Sequence, residues 1–173
     1  LMQFVSVAAF ILDAFAFTAE SRIGRAVGAR SRVQFLRAFR LTFEFSFVAG
    51  IALALAFWVL GGPGIAFITT DAAVRATARG FLPFAALVPL IGMPSWLLDG
   101  VFIGATRGRA LRNAGVLATA LYLATDLALR PHGNLGVWLA LWSSYLYRAA
   151  CLGAYLPGLL RSLDPRAQEP ILG

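Results

Sequence analysis

Two carboxylates lie inside long apolar stretches of the sequence, where they are the side chains best able to do chemistry. Asp13 lies nine residues before Arg22, and Asp99 lies eight residues before Arg107. At a helical rise of about 1.5 Å per residue, both acids lie roughly 12–13 Å above the nearest arginine. A carboxylate inside a membrane is costly unless it is paired, protonated or hydrated. Asp13 and Asp99 are therefore candidates for binding a cation or a cationic substrate, and their equal depth allows one shared pocket.

One arginine interrupts the last apolar stretch of the chain. Arg148 lies thirteen residues before Arg161, which is about 20 Å along a helix and about one and a half turns above the two acids. A long arginine side chain can extend along a helix toward a polar partner, so Arg148 is the third candidate for the substrate- or ion-binding site. Under the alternative hypothesis, the acids only form hydrogen bonds between packed helices and bind nothing.

Two prolines precede Asp99 within the same apolar stretch. Pro89 and Pro94 each lack a backbone N–H and leave a carbonyl without its helical partner, and Gly92 lies between them. We expect a helix kink at Pro89 and Pro94. Interrupted membrane helices are frequent at the binding sites of transporters, so this context favours Asp99 over Asp13 as a functional residue. Asp126 lies near the outer end of its stretch, where an interfacial charge is expected.

These residues need membrane helices to position them. The chain has 173 residues, of which 60% are hydrophobic and 13% are charged, whereas soluble domains carry about a quarter charged residues. Apolar runs of about 20 residues predict transmembrane helices. The fold class is therefore all-α integral membrane, with one membrane domain over residues 1–173. Five transmembrane helices are expected at about 3–28, 33–60, 72–106, 110–129 and 134–161, with a turn at 61–64 that ends the second helix.

The distribution of arginines predicts the orientation of these helices. Eleven arginines lie in alternate connections and the tail (Arg22, Arg25, Arg30, Arg32, Arg37, Arg40, Arg107, Arg109, Arg112, Arg161 and Arg166), against three on the opposite side (Arg75, Arg79 and Arg130). The positive-inside rule places the larger group in the cytoplasm. The chain is thus expected to be multi-pass in the inner membrane with a cytoplasmic C-terminus, and to be a fragment with further helices upstream. Because the arginines flank apolar runs, no nucleic-acid partner is expected.

The sequence lacks the residue sets of soluble-enzyme active sites. It has one cysteine and one histidine, Cys151 and His132, which cannot form a zinc site or a serine-histidine-aspartate triad, and it has no phosphate-binding loop. We therefore expect no enzyme activity, no metal site and no cofactor other than a coupling ion. A stand-alone scaffold or accessory subunit, an inactive truncated half and a flippase of lipid intermediates remain alternatives to a transporter.

Two segments resemble the multidrug and toxic compound extrusion (MATE) family, and its DinF-like branch in particular. The first is the run Ile-Leu-Asp-Ala-Phe-Ala-Phe-Thr-Ala-Glu at 11–20, which resembles the family's eighth helix. The second is Leu-Asp-Gly-Val-Phe-Ile-Gly-Ala-Thr at 98–106, which resembles the tenth. The weaker run at 133–138 resembles the start of the twelfth. The chain is thus similar to helices 8–12 of a twelve-helix transporter.

The resemblance implies an efflux antiporter of two helical lobes, of which this chain would be most of the C-terminal one. It implies lipophilic or cationic small molecules as substrates, a proton or sodium ion as the coupling ion, and an N-terminal lobe of the same transporter as partner within the lipid bilayer. Asp99 falls where the family places acids that line the central cavity. Two features depart from the family: Ala14 replaces a glycine, and Arg22 and Arg25 stand at positions that are usually neutral.

Overall fold

The computed structural model describes residues 1–164, which form five long α-helices in an all-helical bundle. The helices are α1 (Met2–Gly28), α2 (Arg32–Ile68), α3 (Ala72–Gly104), α4 (Gly108–Leu129) and α5 (Gly133–Arg161), with a short 3-10 turn at Arg130–His132 between the last two. Residues 1–164 contain no β-strand. The predicted all-α fold class is confirmed. The tail from residue 165 onward, including Arg166, lies outside the described residues.

The predicted end of the second helix at residue 60 is wrong, because α2 continues through the Gly-Gly-Pro-Gly run to Ile68. The glycines serve helix packing instead of a turn. A Cβ atom at Gly61 would collide with the side chain of Leu82 on α3, and one at Gly64 would lie 3.1 Å from the ring of Phe4 on α1. Pro63 removes one helical hydrogen bond, and contacts with neighbouring helices can offset that loss inside a membrane.

The chain leaves α2 and enters α3 through a tight capped turn. Asp71 is the N-cap of α3, and its Oδ1 accepts hydrogen bonds from the backbone N–H groups of Ala73 (2.8 Å) and Val74 (3.0 Å). Arg75 donates to the carbonyls of Thr69 (2.6 Å) and Ala66 (2.7 Å) at the end of α2. These contacts satisfy backbone groups that both helix ends would otherwise leave free.

Helix α3 is the centre of the bundle. It packs against α1 and α2 on one side and against α4 and α5 on the other, while each of those pairs also packs together. The main cluster of buried apolar side chains lies around its C-terminal half and includes Ile23, Phe35, Phe102 and Leu152. Side chains of α3 can therefore reach both halves of the bundle, and this is the helix that carries Asp99.

Helices α1 and α3 are in close backbone contact at two glycines of α3. A Cβ atom at Gly100 would collide with the backbone of Ala16, and one at Gly104 would collide with the backbone of Glu20. The spacing of four residues places both glycines on one face, as in the small-residue interfaces of membrane helices. Asp13 lies about one turn before Ala16, and Asp99 directly precedes Gly100. The contact between Ala16 and Gly100 therefore places the two acids at similar levels along the bundle.

Three of the five helices, α1, α2 and α3, are long and apolar enough to cross a membrane by their own composition. Within the described residues, α4 and α5 fall short of that apolar content, which differs from the prediction of five membrane spans. The physical reason is visible in α5, where Ser143, Ser144, Tyr145, Tyr147 and Arg148 follow one another closely. All five are half-buried, and Tyr147 and Arg148 form hydrogen bonds to Thr125 of α4 and Asp99 of α3.

Candidate functional site

The structure joins Asp99 of α3 directly to Arg148 of α5. The Oδ1 atom of Asp99 accepts hydrogen bonds from both Nη2 (2.6 Å) and Nε (3.1 Å) of Arg148. Hydrogen bonds between two charged groups are among the strongest in proteins. The side chain of Arg148 thus reaches Asp99 across the contact between α5 and α3.

A third helix completes the position of the guanidinium group. Nη1 of Arg148 donates to the backbone carbonyl of Leu111 on α4, at 3.2 Å. One turn further along α4, a Cβ atom at Gly115 would lie only 2.7 Å from that same Nη1. Gly115 therefore provides the space that the arginine occupies. Three helices thus meet at this ion pair. Helix α5 carries Arg148, α3 provides the carboxylate of Asp99, and α4 provides the carbonyl of Leu111 and the space beside Gly115.

A cavity of about 390 Å³ opens beside this ion pair, within the usual range for small-molecule sites. Its lining comes from α3, α4 and α5, and combines aromatic rings, hydroxyls and the ion pair itself: Ser95, Trp96, Asp99, Gly115, Ala118, Thr119, Tyr122, Ser144, Tyr145 and Arg148. The rings of Trp96 and Tyr145 meet edge to face with centroids 5.1 Å apart. Aromatic faces attract organic cations, so the cavity suits a positively charged, partly apolar molecule.

One oxygen of Asp99 remains available to a ligand. Both hydrogen bonds from Arg148 end on Oδ1, and within residues 1–164 no donor reaches Oδ2. The side chains of Asp99 and Arg148 are 30% and 25% exposed, and Oδ2 is not among the buried atoms that lack a partner. A carboxylate can accept about four hydrogen bonds. The cavity thus ends at a carboxylate that is only half engaged.

Asp13 lies near this site without lining the cavity. It is half-buried on α1, across the close contact between Gly100 and Ala16. In the part of the chain that the structure describes, Asp13 forms no ion pair. The structure therefore brings Asp99 and Arg148 together and leaves Asp13 one helix away.

Comparison with known proteins relates this arrangement to a family. The sequence profile of the MatE family matches residues 1–125, which include Asp13, Asp99 and the α4 side of the cavity. The chain belongs to the MatE family. The resemblance seen in the segments around Asp13 and Asp99 is thus confirmed. Together with the three apolar helices, the family makes this a multi-pass membrane protein.

The MatE chain also has a curated relative. It is 33% identical over 154 residues to the DNA damage-inducible protein F of Escherichia coli (strain K12). The aligned region covers 89% of this chain and 34% of that protein, so the chain spans about a third of the relative's length. No solved structure matches the MatE chain.

The prolines before Asp99 do not end the MatE helix. Helix α3 continues through Pro83, Pro89 and Pro94 to Gly104, so the predicted kink at the latter two stays a prediction. Each proline still leaves the carbonyl four residues before it without a helical donor. Just after Pro94, the Ser95 hydroxyl donates to the carbonyl of Gly92 at 2.8 Å, and Ser95 also lines the cavity.

Two acids outside the site pair with nearby arginines. Asp126, near the C-terminal end of α4, pairs with Arg130 at 3.4 Å, and Glu44 pairs with Arg40 at 2.7 Å on α2. Both pairs join residues four positions apart in the sequence: Arg40 and Glu44 both lie on α2, whereas Arg130 lies in the 3-10 turn that follows α4. Neither pair lines the cavity, so Asp126 serves as a control acid for Asp99.

Most of the aromatic and hydroxyl lining of the MatE cavity was not singled out from the sequence. On α4 the lining residues Gly115, Ala118, Thr119 and Tyr122 recur at intervals of three and four, which places them on one helix face. On α5, Ser144 and Tyr145 lie within one turn of Arg148. A search for polar residues at helical spacing from Arg148 would have found part of this set.

The space that Gly115 leaves for Arg148 leads to a stability prediction. We expect Gly115→Val to be less stable than the native protein by about 1–3 kcal/mol, because the added side chain displaces the guanidinium from Leu111 and Asp99. Thermal unfolding of the purified protein measures this loss. The matched control is Gly153→Val on α5, since a Cβ atom there meets nothing within 4 Å. Equal melting temperatures for the two variants would contradict the role given to Gly115.

Proposed function

We propose that this MatE chain is part of the C-terminal lobe of an efflux antiporter that exports lipophilic or cationic small molecules. The observation that carries the proposal is the half-engaged Asp99 carboxylate at the end of an aromatic cavity within the membrane helices. A negatively charged group flanked by Trp96, Tyr122 and Tyr145 offers a cation both a charge and aromatic faces. The family membership supports a transport role in general.

Exchange at Asp99 would couple the substrate to an ion gradient. A proton or sodium ion that binds the carboxylate removes the charge that a cationic substrate needs, so the two cannot occupy Asp99 at once. Arg148 acts as a resident cation that satisfies Oδ1 while Oδ2 stays open. A ligand shifts a conformational equilibrium only if it binds one conformation more tightly than the other. Competition between the ion and the substrate for this one carboxylate would therefore link ion entry to substrate release.

The remaining parts of the proposal concern the whole transporter. The relative is about three times as long as the matched region, and we propose that an N-terminal lobe on the same polypeptide closes the other side of the cavity. The two lobes would alternate access by rocking in the inner membrane, with the C-terminus in the cytoplasm as the arginine distribution predicts. The three helices α1–α3 would anchor this lobe in the lipid bilayer.

Transport by the full-length protein in liposomes tests the proposal. We expect a fluorescent lipophilic cation to move across the membrane when a proton or sodium gradient of opposite direction is imposed, and to stop when the gradient is collapsed by an ionophore. Imposing the two gradients separately identifies the coupling ion. An absence of gradient-driven transport for a panel of cationic dyes would contradict the antiporter, and would favour a scaffold or a lipid flippase.

A further inference from the structure

A second cavity, of about 340 Å³, lies between α1 and α2 at the end of the bundle that carries most of the arginines. Its lining comes from these two helices: Arg22, Arg25, Gln34, Arg37, Ala38 and Leu41. Arg22 and Arg25 are one turn apart on α1, and the four residues from α2 recur at intervals of three and four on one face. This groove is separate from the Asp99 site, which lies on the other side of α3.

No acid within residues 1–164 compensates the positive charge of this groove. Within residues 1–164, Arg22, Arg25 and Arg37 form no ion pair, whereas their neighbours Arg32 and Arg40 are paired with Asp164 and Glu44. Glu20 is the nearest acid in sequence to Arg22. It lies on the opposite side of α1, because two residues correspond to about 200° of helical rotation. Three exposed arginines therefore face one cavity without a neutralising group among the described residues, which is the charge arrangement that binds phosphate.

The groove continues into an apolar stripe. Leu41 closes the polar end, and Phe45 and Val48 follow it on the same face of α2 at intervals of four and three residues. Phe45 and Val48 are each 64% exposed. Leu41 also begins the long apolar run of α2, so the arginines lie at the level where a membrane changes from headgroups to hydrocarbon. A soluble anion would contact only the arginines, whereas a phospholipid would contact both the arginines and the apolar stripe.

We propose that this groove binds an anionic phospholipid. Its phosphate would lie against Arg22, Arg25 and Arg37, and one acyl chain would follow Leu41, Phe45 and Val48. Basic cavities between membrane helices on the cytoplasmic side are suited to anionic headgroups. A bound lipid at this position would fix the angle between α1 and α2 where the chain reverses direction.

Native mass spectrometry of the intact protein in mild detergent tests the proposal. We expect phosphatidylglycerol to remain bound to the native protein and phosphatidylcholine to be lost. The triple variant Arg22→Gln, Arg25→Gln, Arg37→Gln should bind phosphatidylglycerol at least tenfold more weakly. The matched control is Arg109→Gln, Arg112→Gln, Arg161→Gln, which removes three exposed arginines from the same predicted side and should bind as the native protein does.

Several outcomes would overturn the proposal. Equal loss of phosphatidylglycerol in both triple variants would show a general effect of charge, and equal retention of phosphatidylcholine would show that the arginines do not select the headgroup. Full displacement of the lipid by millimolar inorganic phosphate would indicate a soluble anion as the occupant. If the groove triple variant fails to fold, Arg37→Gln and Phe45→Ser separately probe the two halves of the groove, and native-like lipid retention by both would equally refute it.

Discussion

Replacement of Asp99 by asparagine is expected to reduce transport of a cationic substrate by about tenfold to a hundredfold. Asparagine keeps the size of the side chain but removes the negative charge that faces the cavity, and a hydrogen bond to a charged group contributes about 1.5–3 kcal/mol. Arg148 would also lose its only charged partner within the described residues. Dye efflux from liposomes, normalised to the amount of protein in the membrane, measures the effect.

Asp126→Asn is the control for this experiment. Asp126 also lies on a helix of this chain and pairs with an arginine, but its partner Arg130 lies only four residues further along, in the turn after α4, and neither residue lines the cavity. We expect Asp126→Asn to transport as the native protein does. Native-like transport by Asp99→Asn would refute the proposed site.

A double variant separates two reasons for a loss of activity in Asp99→Asn. One reason is the missing carboxylate, and the other is the unpaired charge left on Arg148, since a buried charge without its partner is strongly destabilising. Asp99→Asn combined with Arg148→Gln removes both charges. If the carboxylate binds the cation, the double variant stays inactive. Recovery of transport in the double variant would mean that Asp99 serves only to neutralise Arg148.

The sequence was most informative where one physical quantity could be computed from spacing. Depth in a membrane follows from residue number along a helix, and so it placed Asp13 and Asp99 near one level and brought Arg148 within reach. Rotation about the helix axis, however, depends on packing partners. Equal depth therefore could not show that Asp99 faces α5 while Asp13 lies across the α1–α3 contact.

Two features that the sequence did not predict, the continuation of α2 to Ile68 and the role of Gly115, have a common cause. In a soluble protein, Gly61 and Gly64 would favour a turn. Here Gly61 packs against Leu82 and Gly64 against Phe4, and α2 remains helical. Likewise, nothing in the sequence around Gly115 indicates a role for it, because that role comes from the guanidinium of Arg148, which packs against it from α5. In each case the structural role of the glycine depends on the side chain that packs against it from another helix. Local helix propensity cannot predict that contact.

A glycine that packs against another helix also leads to the second prediction with a large expected effect, which concerns the contact between α1 and α3. We expect Gly100→Ala to destabilise the protein by about 2 kcal/mol, because the added methyl group meets the backbone of Ala16, which cannot move aside as a side chain can. Apolar burial contributes little to association between membrane helices, so close packing has to hold them together. Gly104→Ala should add to the loss, since it meets the backbone of Glu20 in the same way.

Gly80→Ala on the same helix is the matched control. A Cβ atom at Gly80 meets nothing within 4 Å, so alanine there should leave stability unchanged or raise it by up to about 1 kcal/mol through its helix propensity. Thermal unfolding in detergent compares the two variants, and a disulfide engineered between α1 and α3 should form more slowly in Gly100→Ala if the helices separate. Because Gly100 follows Asp99 directly, separation would also move the acid relative to Arg148. A Gly100→Ala protein as stable as Gly80→Ala would show that α1 and α3 are not held by this contact, and the position of Asp99 would then have to be fixed from the α5 side alone.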